Sequence, residues 1–518
     1  MIRAATFNAQ TVAVFGLGLS GRASVASLAA GGAQVAAWDD GDAGREAAKA
    51  AGIALTDLHD ADWSRFSALV LAPGVPLTHP VPHWTVRAAQ SAGVPIIGDT
   101  EIFCRERQRF MRDNLSASPL IAITGTNGKS TTTALIAHVL RDAGLDVQMG
   151  GNIGVPILAL SELAPERAYV VEFSSYQIDL TPSLHPTAGV LLNISPDHLD
   201  RHGTLARYAA IKARLIEGAD HAIVGCDDAL SRTAGQTLPD GKRVTMISGT
   251  PADQGADGSD ADGANDSAYG ILTTRANADA VIAQADGPVR HHAGHGAPVT
   301  LASIASIPTL RGAHNAQNAA AAGAVARAMG LSPARIQAGF TGFAGLPHRM
   351  EDLGEVDGVL CINDSKATNA DSAARALSAL KNVYWIAGGL AKDGGIADLL
   401  AYRSRIRHAF LIGDAATSFA ATLDGQVPYT LSGTLDQAVP AALAQIASDR
   451  ENDRACGADA STPAPPVLLL APACASFDQY RSFEVRGDAF RALLAGLPGF
   501  VARAQRAATT PPAQDPER

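Results

Sequence analysis

A chain of 518 residues is too long for one hydrophobic core and calls for roughly two to four domains. Hydrophobic residues make up 47% and charged residues 18%, the balance of a globular protein, and a net charge of −10 leaves no excess of Lys and Arg to neutralise nucleic-acid phosphates. The opening MIRAATFNAQ has no apolar signal core, no stretch is long and apolar enough to span a bilayer, and the five Cys stand without C-x-x-C spacing. A cytoplasmic protein with no nucleic-acid partner, membrane span, disulfide framework or zinc site is expected.

In chain order, TVAVFGLGLSG reads as strand, tight turn and helix start, and AQVAAWDD, ALVLAPGV and VPIIGDT follow as further strands. Ala-rich helical stretches separate them, a βαβ pattern that predicts a mostly parallel sheet. Gly16, Gly18 and Gly21 form G-x-G-x-x-G, with Asp39 and Asp40 ending the next strand. Such a turn can cradle any pyrophosphate, so an NAD-dependent oxidoreductase and a UDP-sugar site are both open on this motif alone.

A second α/β block begins at Leu120. The segment IAITGTNGKSTTT runs from an apolar strand through a Gly-rich turn into Lys129, Ser130 and a Thr-rich helix start. A triphosphate needs this arrangement: small residues let backbone N–H groups close around phosphates, the helix N-terminus adds positive potential, Lys neutralises charge and a hydroxyl holds Mg²⁺. Ile123 stands where the usual phosphate-loop pattern has its first Gly. AYVVEFSS and AGVLLNIS read as buried strands, so Glu172 closes one strand end and Asp197-His198 follows another. Open α/β sheets place ligands beyond the carboxyl ends of their strands. A carboxylate and an imidazole there are apt Mg²⁺ ligands, Glu172 the better by oxygen preference. Asn315 and Asn318, at i and i+3 of a helical stretch, share one face and suit either adenine recognition or capping. Lys212, in RYAAIKARLIEGAD, reads from its context as an exposed helical lysine. His291, His292 and His295 read as a solvated loop.

A third block starts near Leu346, with strands in GVLCINDS, VYWIAGG, HAFLIG and PVLLLAPACASF. Arg349, Asp364, Lys366 and Thr368 flank these strand ends and suit either phosphate and carboxylate clamping or surface ion pairing. Between the blocks, residues 251–270 are rich in Asp, Gly and Ala and contain no Lys or Arg, which predicts a disordered surface insert. Gly258 at the first ligand position excludes an EF-hand calcium loop. Deleting residues 252–268 should leave activity and melting temperature nearly unchanged, since shortening a solvated loop alters closure entropy by only about 1 kcal/mol. Loss of activity in the deletion variant would show that the segment serves a ligand site. The tail, residues 503–518, reads as a frayed end.

GTNGKS, GGNIG, EFSSYQ, DHLDRHG, HNAQN, LPHR, NDSKATN and CASFDQYRSFEVRG occur here in the order seen in the Mur ligases. The chain resembles that family, the ATP-dependent amide ligases of peptidoglycan precursor synthesis, over nearly its whole length. The opening GLGLSGRA and the closing SFDQYRSFEVRG are most similar to the member that joins D-glutamate to UDP-N-acetylmuramoyl-L-alanine. The resemblance implies three α/β domains: a Rossmann-like UDP-substrate domain (1–112), a central P-loop ATP domain (113–345) and a Rossmann-like amino-acid domain (346–502) that closes in use. It implies a monomer.

It also implies residue roles. Leu19, Ser20, Asp39, Asp40 and Gly74 would line the UDP pocket, with Asn152 and His198 touching the nucleotide-sugar substrate near the reaction centre. Thr126, Asn127, Gly128, Lys129, Ser130, Thr131 and Thr132 would hold ATP. Asn315 and Asn318 would read adenine, and Arg349 and Asp364 would serve ATP from the third domain. Ser130, Glu172, His198 and Lys212, the last as a carbamate, would surround Mg²⁺. Lys129, Glu172, His198 and Lys212 would carry the catalysis. Lys366, Thr368, Ser476 and Phe483 would form the D-glutamate site. Ala72 replaces the Ser that commonly precedes Pro-Gly in the family, which removes one hydroxyl from the substrate side. A sister Mur ligase or a folylpolyglutamate-type synthase would share the ATP site. A dehydrogenase would rest on the glycine turn at 16–21, and a nucleotide sensor would bind ATP without turnover.

Overall fold

The computed structural model describes residues 1–249, 279–285, 287–293, 297–305, 307–391, 394–455 and 464–503. The expected insert at 251–270, His295 and nearly all of the expected tail lie outside the described residues. The chain is a mixed α/β protein built on three sheets. It divides into two compact units, one of Met1–Ile307 with Ala313–Phe343, the other of Ala344–Arg518 with Pro308–Gly312.

The first unit carries two sheets. The smaller has four parallel strands in the order Gln34–Trp38, Thr11–Phe15, Ala68–Leu71 and Ile96–Ile97. Val12, Val14, Ala68 and Val70 face one core layer, while Ala13, Phe15, Leu69 and Leu71 face another. Both faces are therefore covered, which is why the strands read as continuous apolar runs. The larger sheet has nine strands. Its parallel part runs Asp279–Ala283, Arg243–Ser248, His221–Gly225, Ala188–Leu191, Leu120–Thr124, Ala168–Glu172 and Val147–Gly151. Pro288–His292 and Val299–Ser303 extend one edge as antiparallel strands. His291 and His292 thus close a strand instead of lying in the expected solvated loop, and His291 Nε2 lies 3.5 Å from Asp279. The helix Ala313–Ala328 lies against this sheet on a row of fully buried alanines, Ala316 and Ala319 to Ala322, whose small side chains permit close approach.

The second unit holds one sheet of seven strands: Tyr429–Gly433, Ile406–Ile412, Val383–Gly388, Val467–Leu470, Val359–Asn363, Glu351–Val356 and Phe500–Ala502. The first five are parallel, and the last two pair antiparallel at one edge. No helix among the described residues is long and apolar enough to cross a membrane.

Candidate active site

The strand Leu120–Thr124 sits between Ala188–Leu191 and Ala168–Glu172, so three neighbouring parallel strands end together. The loop 125–128 leaves the middle one and enters the helix Lys129–Asp142. Gly128 has φ +80°, and a Cβ there would lie 2.4 Å from Asn318 Oδ1, so only glycine fits. Asn318 accepts a hydrogen bond from the Thr132 hydroxyl at 3.0 Å and donates to Asn315 Oδ1 at 3.0 Å. Both asparagines are buried inside the first turns of their helix, against the loop, and neither is the solvated residue that such a position ordinarily suggests. Thr126 and Ser130 are also buried.

Two lysines meet at one carbonyl. Lys129 Nζ donates to Gly125 O at 2.9 Å and to Thr126 O at 2.8 Å. Lys212 Nζ donates to the same Gly125 O at 2.8 Å and to Thr124 Oγ1 at 3.2 Å, and lies 4.8 Å from the centre of the Tyr208 ring. The expectation of an exposed Lys212 is overturned: the residue is 1% exposed. Its helix, Leu205–Glu217, buries Tyr208, Ile211, Lys212, Leu215 and Ile216, and this spacing puts Lys212 on the inward stripe. Burial, reinforced by Lys129, holds the ammonium well below the usual lysine range, while Asp197 and Glu172 pull the other way.

Glu172 closes the neighbouring strand and is 2% exposed. Asn152 Nδ2 donates to its Oε1 at 2.8 Å, while Oε2 is buried without a hydrogen-bond partner. A buried carboxylate oxygen without a partner is costly unless a ligand completes it, so the donor set fits a hard cation. Among the described residues no three His, Cys, Asp or Glu side chains gather into a ready-made cage. Mg²⁺ commonly takes one or two carboxylates and its remaining ligands from water and substrate phosphates. His198 follows the third strand end with φ +53°, its Nε2 3.4 Å from Asp197 and its ring 5.1 Å from Tyr176. Desolvation, then Lys129 and Lys212, lower its pKa against the pull of Asp197.

At the smaller sheet, the glycine turn is closed by Asp39, whose carboxylate accepts from Leu17 N at 2.6 Å and from Gly41 N at 2.8 Å. Asp39 therefore shapes the turn. Asp40 is held by Trp38 Nε1 at 3.1 Å, Trp84 Nε1 at 2.8 Å and His83 Nε2 at 3.3 Å, beside a stacked His59–Trp84 pair. Leu19 is exposed and Ser20 half-buried. Gly74 O and Val75 O each accept from Arg201 at 2.9 Å, which ties this sheet to the segment that carries His198.

In the second unit, Asp364 follows the strand Val359–Asn363 and accepts from Met350 N at 3.1 Å. Burial pushes its carboxyl up to about 6, with Arg349 opposing. Lys366 Nζ lies 3.9 Å from the Phe483 ring centre, Thr368 N donates to Lys366 O, and Ser476 is buried in the next loop. Sequence reasoning passed over Arg486, which is 1% exposed. It donates to Ser365 Oγ at 3.0 Å, Ser365 O at 2.9 Å and Cys474 O at 3.1 Å, so it pins the Lys366 loop to the Ser476 loop. Asn193 and Gln317, beside the phosphate loop, were also passed over. For Asn193 the signal was a polar residue ending an apolar strand run; Gln317, inside the helix Ala313–Ala328, gave none of that kind.

A parallel α/β sheet with this loop at its carboxyl edge marks a nucleotide-dependent enzyme of the phosphate-loop class. The chain belongs to the Mur ligase family: residues 123–326 match the model of the Mur ligase middle domain and residues 348–454 that of the Mur ligase, glutamate ligase domain. It is 52% identical over 500 residues to UDP-N-acetylmuramoylalanine--D-glutamate ligase of Chelativorans sp. (strain BNC1), covering 96% of this chain and 98% of that one. It is 51% identical over 503 residues to the enzyme of the same name from Nitrobacter hamburgensis, covering 96% and 99%. Among solved structures, UDP-N-acetylmuramate-alanine ligase MurC from Thermotoga maritima aligns with a TM-score of 0.52 at 16% identity, over 93% of this chain and 98% of that one. At that identity the likeness concerns the fold.

Proposed function

We propose that this chain is an ADP-forming amide ligase that adds D-glutamate to UDP-N-acetylmuramoyl-L-alanine in the cytoplasm. The observation that carries the chemistry is the meeting of Lys129 and Lys212 on Gly125 O, with Glu172 closing the next strand. The extent of identity to D-glutamate ligases carries the choice of substrates.

A free carboxylate is a poor electrophile. The γ-phosphoryl group of ATP passes to the terminal carboxylate of the UDP substrate to give an acyl phosphate. The D-glutamate amine then attacks that carbonyl, and phosphate leaves. Residues 126–132 bind the triphosphate through backbone N–H groups, and Lys129 neutralises the transferring group. Bound Mg²⁺ would screen the phosphate charge, with Ser130, Glu172 and His198 as the residues to hold it and Asn152 orienting Glu172. Lys212 is assigned as a carbamate: its neutral amine adds to CO₂ and releases a proton, which converts a buried cation into a carboxylate beside the metal site. Asn315 and Asn318 are assigned to adenine, and Arg349 and Asp364 to ATP. Leu19, Ser20, Asp39, Asp40 and Gly74 serve the UDP end, and Lys366, Thr368, Ser476 and Phe483 serve D-glutamate. The three sheets support a division into UDP-substrate, ATP and amino-acid domains; that the chain works as a monomer rests on the family resemblance alone.

Asp40→Ala should raise the KM for the UDP substrate well above its effect on the KM for ATP, because Asp40 lies on a different sheet from the phosphate loop. Steady-state kinetics against both substrates checks this. Tight NAD(H) binding by the wild type, with no affinity for UDP compounds, would favour the dehydrogenase reading instead.

A further inference from the structure

The phosphate loop is held in shape by a side chain outside it. Asn193 follows the strand Ala188–Leu191, and its amide faces the Asn127 peptide at both atoms. Oδ1 accepts from Asn127 N at 2.9 Å, and Nδ2 donates to Asn127 O at 3.2 Å. The Asn193 backbone adds a third link, its carbonyl accepting from Thr126 N at 2.8 Å. Two residues on, Ser195 N donates to Thr126 Oγ1 at 3.0 Å, and that hydroxyl donates to Ser195 O at 3.1 Å. Loop residues 126–127 are thereby laid along the segment that leads to His198.

The Asn193 amide has one productive orientation, and the residues behind it set that orientation. Its Nδ2 also donates to Gln317 Oε1 at 2.8 Å. Gln317 is 7% exposed, and its Nε2 donates to Asp227 Oδ2 at 2.8 Å. Asp227 is a pure acceptor when ionised and fixes the end of the chain, since Gly249 N also donates to Oδ2 at 3.0 Å and the Ser248 hydroxyl donates to Oδ1 at 2.5 Å. An acceptor-only carboxylate forces Gln317 to present its amide NH₂ outward and its carbonyl inward. That carbonyl in turn forces Asn193 to turn its NH₂ toward Gln317. Only then does Asn193 Oδ1 meet the Asn127 N–H. A flipped Asn193 would set a donor against that N–H.

We infer that Asn193 is a positioning residue for phosphoryl transfer, and that Gln317 and Asp227 act through it by fixing its amide orientation. None is assigned contact with the reacting atoms. The loop's backbone N–H groups stabilise transferring phosphate only where they point, and small misplacements of such groups cost much of the rate. The inference rests on reading residues 125–130 as the ATP phosphate loop.

The test is a double-mutant cycle in the full-length enzyme, with KM for ATP, KM for the UDP substrate and kcat measured for each variant. Asn193→Ala should lower kcat/KM for ATP by about 10- to 100-fold, with the KM for the UDP substrate unchanged. Gln317→Leu, which keeps bulk and removes the polar atoms, should lower it less. The double variant should be no worse than Asn193→Ala alone if the Gln317 side chain acts on the loop through its hydrogen bond to Asn193. Additive losses, or equal losses toward ATP and the UDP substrate, would overturn the relay and leave a general structural role. If Asn193→Ala fails to fold, Gln317→Leu decides alone: a selective rise in the KM for ATP upholds the inference and an unchanged value overturns it. A wild type that consumes no ATP would instead sink the underlying function, so the two failures are distinguishable.

Discussion

Lys129→Ala should cut kcat by about 10²-fold to 10³-fold or more while leaving affinity for the UDP substrate nearly intact. The side chain starts the helix that follows the loop, and its Nζ donates to the loop carbonyls Gly125 O and Thr126 O. Removing a charge clamp from a transferring phosphoryl group costs roughly 2.7–4 kcal/mol of transition-state stabilisation, or about 10² to 10³ in kcat. The UDP end is assigned to the glycine turn and Asp40 on the smaller sheet, so calorimetric titration of the variant with the UDP substrate should resemble that of the wild type. Wild-type kcat in the variant would remove the phosphate loop from the mechanism.

Lys212→Ala should be nearly as damaging, for a different reason. An ordinary lysine, with a pKa of about 10.4, exposes little neutral amine at neutral pH. Burial and the Lys129 charge lower that pKa here, so the neutral, CO₂-reactive form is far better populated than on a surface lysine. The sign of the pH dependence follows. Protonation removes the nucleophile, so falling pH drives the carbamate back to ammonium and CO₂, and the need for added bicarbonate should grow as pH falls. Acetate or another short carboxylic acid should partly rescue Lys212→Ala by filling the vacated anion position, and Lys212→Glu should retain some activity. Full activity of the Ala variant in bicarbonate-free buffer would refute the carbamate assignment.

Parallel strands such as Ala168–Glu172 and Val359–Asn363 were legible in the sequence because they are buried on both faces and read as unbroken apolar runs, AYVVE and VLCIN, whereas the parallel strands His221–Gly225, Arg243–Ser248 and Tyr429–Gly433 were not read. Nor were the antiparallel edges. Glu351–Val356 mixes polar and apolar residues at a sheet margin, and Phe500–Ala502 is too short to show a period. Site residues divided on similar grounds. The phosphate loop declares itself because its chemistry is local, whereas Asn193 and Arg486 work through partners far away in sequence, such as Gln317 and Ser365. Lys212 shows what periodicity could have added: Tyr208, Ile211, Leu215 and Ile216 form an apolar stripe with the lysine inside it. Residue type suggested solvent, and position in the helix placed it in the interior.

The central claim is tested most directly by phosphate release from ATP and Mg²⁺ in the presence of UDP-N-acetylmuramoyl-L-alanine and a panel of amino acids, with the product mass measured in parallel. Rapid release with D-glutamate alone, together with a product heavier by one glutamyl residue, is the predicted result. Equal turnover with L-glutamate, L-alanine or a diamino acid, or release without any amide product, would contradict it.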